Sequence, residues 1–323
     1  ALCPVIGADE ESVFAMQVPL YVDACMKELL SVIKCGSTAY LMKQSMFLSP
    51  LKAVEFLNEH RVNTLCWVAS ALTIISGLGA FEDIKPEYMR TVCFGSEAFP
   101  VKQLQLWQSA CPGARFVNLY GPTEATGMSF YYVVDRDFSD GEPIPVGRPF
   151  DNTGFMLLRE DDTEAAPGET GEICIRGTAL THGYFDDPER TAAAFTQNPL
   201  NKHYPELIYR TGDLGRINER GELVFVSRKD HQIKNMGHRV ELGEIEACAD
   251  GCEGVVRSCC MFDKQKGKLL MFYMGAADEK TLGKYLRSML PRYMLPSKIK
   301  RLDALPLLEK GKIDRNSLKD MEI

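Results

Sequence analysis

Apolar residues along the first 140 positions switch repeatedly between a helical period and short continuous runs. Residues 19–34 carry the helical spacing, and residues 37–42 form a short β-like run. Residues 49–59 are helical again, opened by Ser49-Pro50 as N-cap and first-turn proline. Residues 64–68 and 91–94 read as buried strands, 100–109 as a helix, and 115–118 as a strand feeding a Tyr-Gly-Pro-Thr-Glu turn. Strands alternating with helices predict a parallel α/β layer. The character changes after position 140. Pro143, Pro145, Gly147, Pro149, Gly154, Gly168 and Gly171 punctuate short strands at 154–158 and 172–176. A hairpin over 209–226 turns at Asn218-Glu-Arg-Gly221. Farther on, 241–249 and 278–290 are helical and 255–262 and 268–274 are strands. The expected fold class is α/β. Residues 1–229 form a large domain, split into an α/β part (1–140) and a small antiparallel β subdomain (141–229). Residues 230–323 form a small α+β domain. There is no internal repeat or low-complexity tract.

Composition narrows the function. The 323 residues are enough for two domains, and 45% hydrophobic with 25% charged residues is ordinary for a globular protein. A net charge of −7 argues against bulk nucleic-acid binding, which needs a positive field. No apolar run reaches the roughly 18 residues of a membrane span. Ala1-Leu-Cys-Pro4 lacks the basic start and apolar core of a signal peptide, so a cytoplasmic location is expected. The 11 cysteines are scattered. The Cys248, Cys252, Cys259, Cys260 group lacks tight Cys-x-x-Cys pairs and a nearby His, so buried thiols are expected there and no metal site.

Four motifs occur in order: Asn118-Leu-Tyr-Gly-Pro-Thr-Glu-Ala-Thr126, Tyr209-Arg-Thr-Gly-Asp-Leu214, Ser227-Arg-Lys-Asp-His-Gln-Ile-Lys-Asn-Met-Gly-His-Arg-Val-Glu241, and Leu305-Pro-Leu-Leu-Glu-Lys-Gly-Lys-Ile-Asp-Arg315. Together they resemble the adenylate-forming, AMP-binding enzymes. The likeness is to the amino-acid adenylation branch, which includes D-alanine–carrier-protein ligases and nonribosomal peptide synthetase adenylation domains. The resemblance implies an ATP-dependent ligase that converts an amino acid to aminoacyl-AMP. The acyl group then passes to the phosphopantetheine thiol of a carrier protein. The family's Ser/Thr/Gly-rich phosphate loop ending in Pro-Lys-Gly does not occur among these residues. The expectation is therefore the later part of such an enzyme, able to hold AMP but impaired alone. Two alternatives stay open: an acyl-CoA synthetase using free CoA, and a non-catalytic fragment.

The resemblance assigns roles to residues. Tyr120 stacks beneath adenine, Asn118 pairs with its amino edge, and the turn at Gly121 belongs to the same motif. Gly95, Ser96 and Glu97 match the family's second adenine-contacting loop, where Gly95 lets the backbone come close. Asp213 accepts from the two ribose hydroxyls, Arg228 also reaches the nucleotide, and Tyr209 walls it. Thr123 gives a hydroxyl to the α-phosphate, and Glu124 is the hard oxygen ligand for Mg²⁺. Lys312 is the mobile catalytic cation, in a motif where Lys310 replaces the usual Asn. Asp23, in Val22-Asp-Ala-Cys25, matches the carboxylate that pairs with the substrate ammonium, although Val22 replaces an aromatic. A helix-capping role for Asp23 is the alternative. Phe94 and Met128 fall where the family lines the side-chain pocket, and their bulk implies a small substrate side chain. Asp230 matches the hinge. Lys234 and Gly237 lie on the face expected to turn toward the site for thiol transfer. His231 and His238 are expected to face solvent.

Overall fold

Short runs of β-branched, aromatic and cysteine residues build the first sheet, and the helices between them cover it. The computed structural model describes residues 1–139, 142–229, 232–263, 266–306, 313–319 and 321, with the backbone alone at Gln44, Gln232, Lys234, Arg239, Asn316 and Lys319. The chain separates into two compact units, Ala1–Lys229 and Asp230–Ile323. The first begins with helix α1 (Leu2–Ile6), strand β1 (Val13–Met16), α2 (Met26–Cys35), β2 (Thr38–Leu41), α3 (Pro50–Glu59), β3 (Thr64–Val68), α4 (Ala69–Gly77) and α5 (Ala80–Asp83). It continues through β4 (Thr91–Gly95), α6 (Val101–Ala110), β5 (Arg115–Tyr120), β6 (Phe130–Val133) and β7 (Arg148–Pro149). These strands form one sheet in the order β2-β1-β3-β4-β5-β6-β7. β1 to β5 run parallel, and β6 and β7 are antiparallel additions at one edge.

Every residue of β3 and β4 is buried, because helices cover both faces of a parallel layer. Leu65, Trp67, Val92 and Phe94 enter the core on one face. Cys66 and Cys93 join Phe14, Val117 and Leu119 on the other, as strand alternation requires. The two tryptophans bury their rings without stranding their N–H groups. Trp67 Nε1 donates to the Ala15 carbonyl at 2.6 Å, and Trp107 Nε1 to that of Leu72 at 3.1 Å.

The structure corrects the reading of this half in three places. The helix expected over residues 19–34 does not start at Pro19. Val22 closes a turn on the Pro19 carbonyl, Asp23–Cys25 is a 3₁₀ turn, and α2 begins only at Met26. Ser49 is the N-cap of α3, but its side chain makes no capping bond. Strand β1, helix α4 and strand β6 were not foreseen. β1 is only four residues long, and α4 is so largely apolar that its sequence has no polar face to mark a period.

The rest of the unit is antiparallel: β8 (Thr153–Leu158), β9 (Gly171–Gly177), α7 (Pro188–Ala194), β10 (Phe195–Gln197), β11 (Leu207–Ile217) and β12 (Leu223–Arg228). The long β11 pairs with β9, β10 and β12. Asp187 caps α7, its carboxylate accepting from the Arg190 N–H at 2.9 Å. The β11–β12 hairpin turns at Gly221, with φ of 75°, where the sequence places it.

The second unit contains β13 (Gln232–Asn235), β14 (His238–Glu241), α8 (Leu242–Asp250), β15 (Val255–Asp263), β16 (Lys268–Gly275), α9 (Glu279–Met289), β17 (Lys298–Arg301) and α10 (Arg315–Lys319). Helices α8 and α9 pack Ile245, Leu282 and Leu286 against Met271 and Tyr273 of the β15-β16-β17 sheet. Met236 and Gly237, both with positive φ (52° and 81°), form the two-residue turn of the β13–β14 hairpin. His238 does not simply face solvent: its ring stacks on Tyr293 at 3.9 Å. Glu246 accepts from the Cys260 N–H at 2.6 Å and from Arg315 at 2.7 Å, tying α8 to β15 and α10. All 11 thiols are unbridged, and only Cys35 and Cys248 are not fully buried. Burial pushes Cys111 and Cys174 up to about 12.

Two glycines separate backbone conformation from crowding. Gly113 has φ of 85° with open space where a Cβ would sit. Gly147 has φ of 84°, and a Cβ there would lie 2.2 Å from the Tyr131 carbonyl oxygen. Gly113→Ala is expected to cost about 1–2 kcal/mol, the left-handed penalty alone. Gly147→Ala adds a backbone collision and is expected to cost more than about 3 kcal/mol. Urea denaturation of both variants checks this; equal losses would show that the strand beside Gly147 can move aside.

Candidate functional site

The carboxyl ends of β4 and β5 lie side by side, Phe94 in register with Asn118 and Gly95 with Leu119. Open parallel sheets bind ligands outside such strand ends. The backbone here is tightly packed. A Cβ on Gly95 would sit 2.3 Å from the Leu119 carbonyl oxygen, and one on Gly121 would sit 2.2 Å from that of Gly127. Ser96 follows in the left-handed region with φ of 66°. Glu97 turns back, and its carboxylate accepts from the Ser70 N–H at 3.0 Å, satisfying a donor in the first turn of α4.

Asp213 is the electrostatic centre of the site. It lies in β11 where the ladder register shifts on both sides, a bulge that re-aims side chains. The residue is buried. Tyr120 Oη donates to its Oδ2 at 2.5 Å, and Arg228 Nη1 donates to its Oδ1 at 2.6 Å. Arg228 stands in register with Asp213 on β12. Burial first, then the Asp213 charge and hydrogen bond, push the Tyr120 hydroxyl well above its ordinary value, so it stays protonated and donates. The Tyr120 ring packs edge-on to Phe130 at 5.7 Å. Asn118 gives an amide hydrogen to the Pro145 carbonyl at 2.8 Å.

The turn after β5 is held from the side. Thr123–Ala125 is a 3₁₀ turn, and Thr126 is left-handed with φ of 56°. Thr126 Oγ1 donates to the Ala179 carbonyl at 2.6 Å, and the Thr181 N–H donates to that of Glu124 at 2.9 Å. Thr123 is exposed, and Glu124 is buried. Tyr184 Oη donates to Glu124 Oε1 at 2.6 Å. Burial, then that hydrogen bond, raises the Tyr184 hydroxyl, and a hydrogen bond with Tyr209 works against the rise. Tyr184 is the residue the sequence reading missed. Its available signal was Gly183, whose φ of 116° positions the tyrosine after it.

Asp23 is brought to this turn from far away in sequence. Its Oδ2 lies 3.6 Å from where a Cβ of Gly127 would stand. It caps no helix, since the N-cap of α2 is Cys25. Among the described residues its carboxylate has no hydrogen bond or ion pair. Phe94 and Met128 are not brought together. Phe94 packs on Phe99 at 4.7 Å within one core cluster, and Met128 packs on the cluster of the other sheet face. Lys312 and Asp230 lie outside the described residues, as does the side chain of Lys234. Among the described residues no group of three or more His, Cys, Asp or Glu side chains could hold a metal, and no helix is long and apolar enough to cross a membrane.

Comparison with known proteins identifies the family. The chain is 30% identical over 324 residues to delta-poly-L-ornithine synthetase of Acinetobacter baumannii, covering 98% of this chain and 23% of that protein. It is 34% identical over 301 residues to tyrocidine synthase 2 of Brevibacillus parabrevis, covering 92% of this chain and 8% of that protein. The chain thus spans less than a quarter of these two relatives. Among solved structures it resembles IdnL1, with a TM-score of 0.82 and 30% identity over 94% of this chain and 63% of that one. It also resembles an NRPS protein containing adenylation and PCP domains bound to a vinylsulfonamide inhibitor, with a TM-score of 0.82 and 28% identity over 96% of this chain and 53% of that one. A family model for AMP-binding enzymes matches residues 2–185. The chain therefore belongs to the AMP-binding enzyme family, the adenylate-forming group to which its motifs point.

Proposed function

We propose that this chain carries the nucleotide and amino-acid sites of a ligase that converts an amino acid and ATP to aminoacyl-AMP. The acyl group then passes to the phosphopantetheine thiol of a carrier protein. The observation that supports this best is the pair of anions at one loop. Asp213 is held by Tyr120 and Arg228, and Asp23 stands unpaired beside Gly127. An ionised carboxylate has about four lone-pair positions. The two donors on Asp213 leave room for both ribose hydroxyls. Asp23 receives the substrate ammonium, since a charge taken from water needs a partner of opposite sign.

The other residues position and neutralise. Asn118, Tyr120 and the tight Gly95–Glu97 and Gly121 turns border the adenine, and Tyr209 walls the nucleotide through Tyr184. Thr123 is exposed to meet the α-phosphate. Glu124, with Tyr184 on its carboxylate, would hold Mg²⁺, which supplies positive charge to the phosphates when bound. Lys312 brings a mobile ammonium to the oxygens where charge develops. Asp230 is the hinge that lets the second unit turn between half-reactions, with Lys234 and Gly237 on the thiol-transfer face.

Three measurements test the reading in the full-length protein. Lys312→Ala is expected to slow ATP–pyrophosphate exchange by roughly 10²–10³, the loss of one transition-state charge contact, while sparing thiol transfer from supplied adenylate. Exchange within about threefold of the parent overturns that role. Asp213→Asn is expected to weaken AMP binding by about tenfold or more and to erase the preference for AMP over its dideoxyribose analogue. Calorimetry reads both, and an unchanged preference sinks the ribose assignment. Asp230→Pro fixes φ near −65° and removes a donor. It is expected to impair thiol transfer far more than adenylation, with melting temperature as control; equal losses remove the hinge.

A further inference from the structure

Lys27 lies one helical turn beyond Asp23, in the segment running from the 3₁₀ turn Asp23–Cys25 directly into α2. Residues four apart share a helix face. Lys27 is only 6% exposed, and among the described residues its ammonium has no hydrogen bond or ion pair. Its charge acts on the thiols of Cys25 and Cys66, which places it inward, toward β3.

The adjacent acid does not serve as counter-ion. Glu28 is 0% exposed, and both of its carboxyl oxygens lack a hydrogen-bond partner. Burial, with the Cys66 thiol adding to it, pushes Glu28 well above the usual carboxylate range, and the nearby Lys27 charge only partly opposes this. Burial thus disfavours the charged form of Glu28, and among the described residues no ion pair joins it to Lys27. A desolvated ammonium with no anion is costly. A binding site that retains one is arranged for a negative charge arriving with the ligand.

We propose that Lys27 receives a second carboxylate, so that the amino acid taken by this site has an acidic side chain. This rests on Asp23 as the partner of the substrate ammonium. From Asp23 to Lys27 the chain advances about 6–8 Å, at 1.5 Å per residue in α-helix and about 2 Å in the 3₁₀ turn. An acidic amino acid such as glutamate or aminoadipate carries its amine and distal carboxylate at the two ends of one short chain, in the same order as Asp23 and Lys27. The anion on the ligand's amine end and the cation at its distal end give the site a polarity that neutral and basic side chains do not match.

The test is ATP–pyrophosphate exchange by the full-length protein over amino acids of every class and over carboxylic acids lacking an amine. At least one acidic amino acid is expected to exceed its isosteric amide by about tenfold or more, because the amide leaves the buried ammonium unpaired. Lys27→Gln is expected to abolish or reverse that ratio. Melting curves keep the test independent of turnover. The preferred acidic amino acid is expected to raise the melting temperature of the parent, but not that of Lys27→Gln or Lys27→Met. A neutral or basic amino acid as best substrate overturns this inference alone. So does an unchanged acid-to-amide ratio in Lys27→Gln, or the same ligand-induced rise in parent and variants. Exchange only with carboxylic acids lacking an amine overturns the amino-acid reading, and this inference with it.

Discussion

The hydrogen-bonded group Tyr120–Asp213–Arg228 is the constraint on which the first unit depends. It joins the end of β5 in the parallel sheet to the bulge of β11 and its partner strand β12 in the antiparallel sheet. Asp213 is only 4% exposed, and a buried carboxylate needs such donors to offset its lost hydration. Both donors are charge-assisted, and one comes from each sheet. The two layers are therefore registered by an ion and not only by apolar contact. Removing either donor leaves a buried charge underpaired, so the junction tolerates little change in its own residues.

The junction also explains why the loops around it are so rich in glycine and left-handed residues. Gly95 and Gly121 sit where a side chain would collide with backbone, and Ser96 and Thr126 take positive φ. Such positions keep the chain close to the strand ends and turn backbone groups toward the space above them. The turn at Thr123–Ala125 is then fastened by Tyr184, Thr181 and Ala179 from the loop beyond β9. Rigidity here comes from the antiparallel layer, although the motif itself lies in the parallel one.

Much of this was legible in the sequence, for definite reasons. β3 and β4 are continuous apolar runs because both of their faces are covered, and that pattern is hard to mistake. The hairpin at Gly221 announced itself through Asn and Gly. The start of α2 did not: residues 19–22 fit a helical period, but a proline-initiated turn took precedence. Neither did α4, whose apolar residues carry no period. Within the site, Asp213 and Tyr120 could be named from motifs, but their direct hydrogen bond could not. Sequence spacing carries no distance between segments that meet only in the fold. The same limit hid Tyr184 and the approach of Asp23 to Gly127. It also hid the contact between the Phe94 and Phe99 rings.

Asp213 on one side, and Asp23 with Lys27 on the other, differ in what they ask of a ligand. Asp213 already has two donors from its own chain, so a ligand that meets it adds further hydrogen bonds to a partnered group. Asp23 and Lys27 have no such partners among the described residues. Lys27 is buried, and an incoming group of opposite sign relieves the cost of its desolvation. Interactions of the first kind hold a ligand of fixed structure and discriminate weakly among its variants. Interactions of the second kind discriminate strongly, because a ligand lacking the right charge leaves the cost unrelieved. The strand-end loops are too crowded to vary, as the collisions at Gly95 and Gly121 show. In the proposed ligase, selectivity then rests on the segment free to change its side chains without moving backbone, the turn and helix from Asp23 into α2.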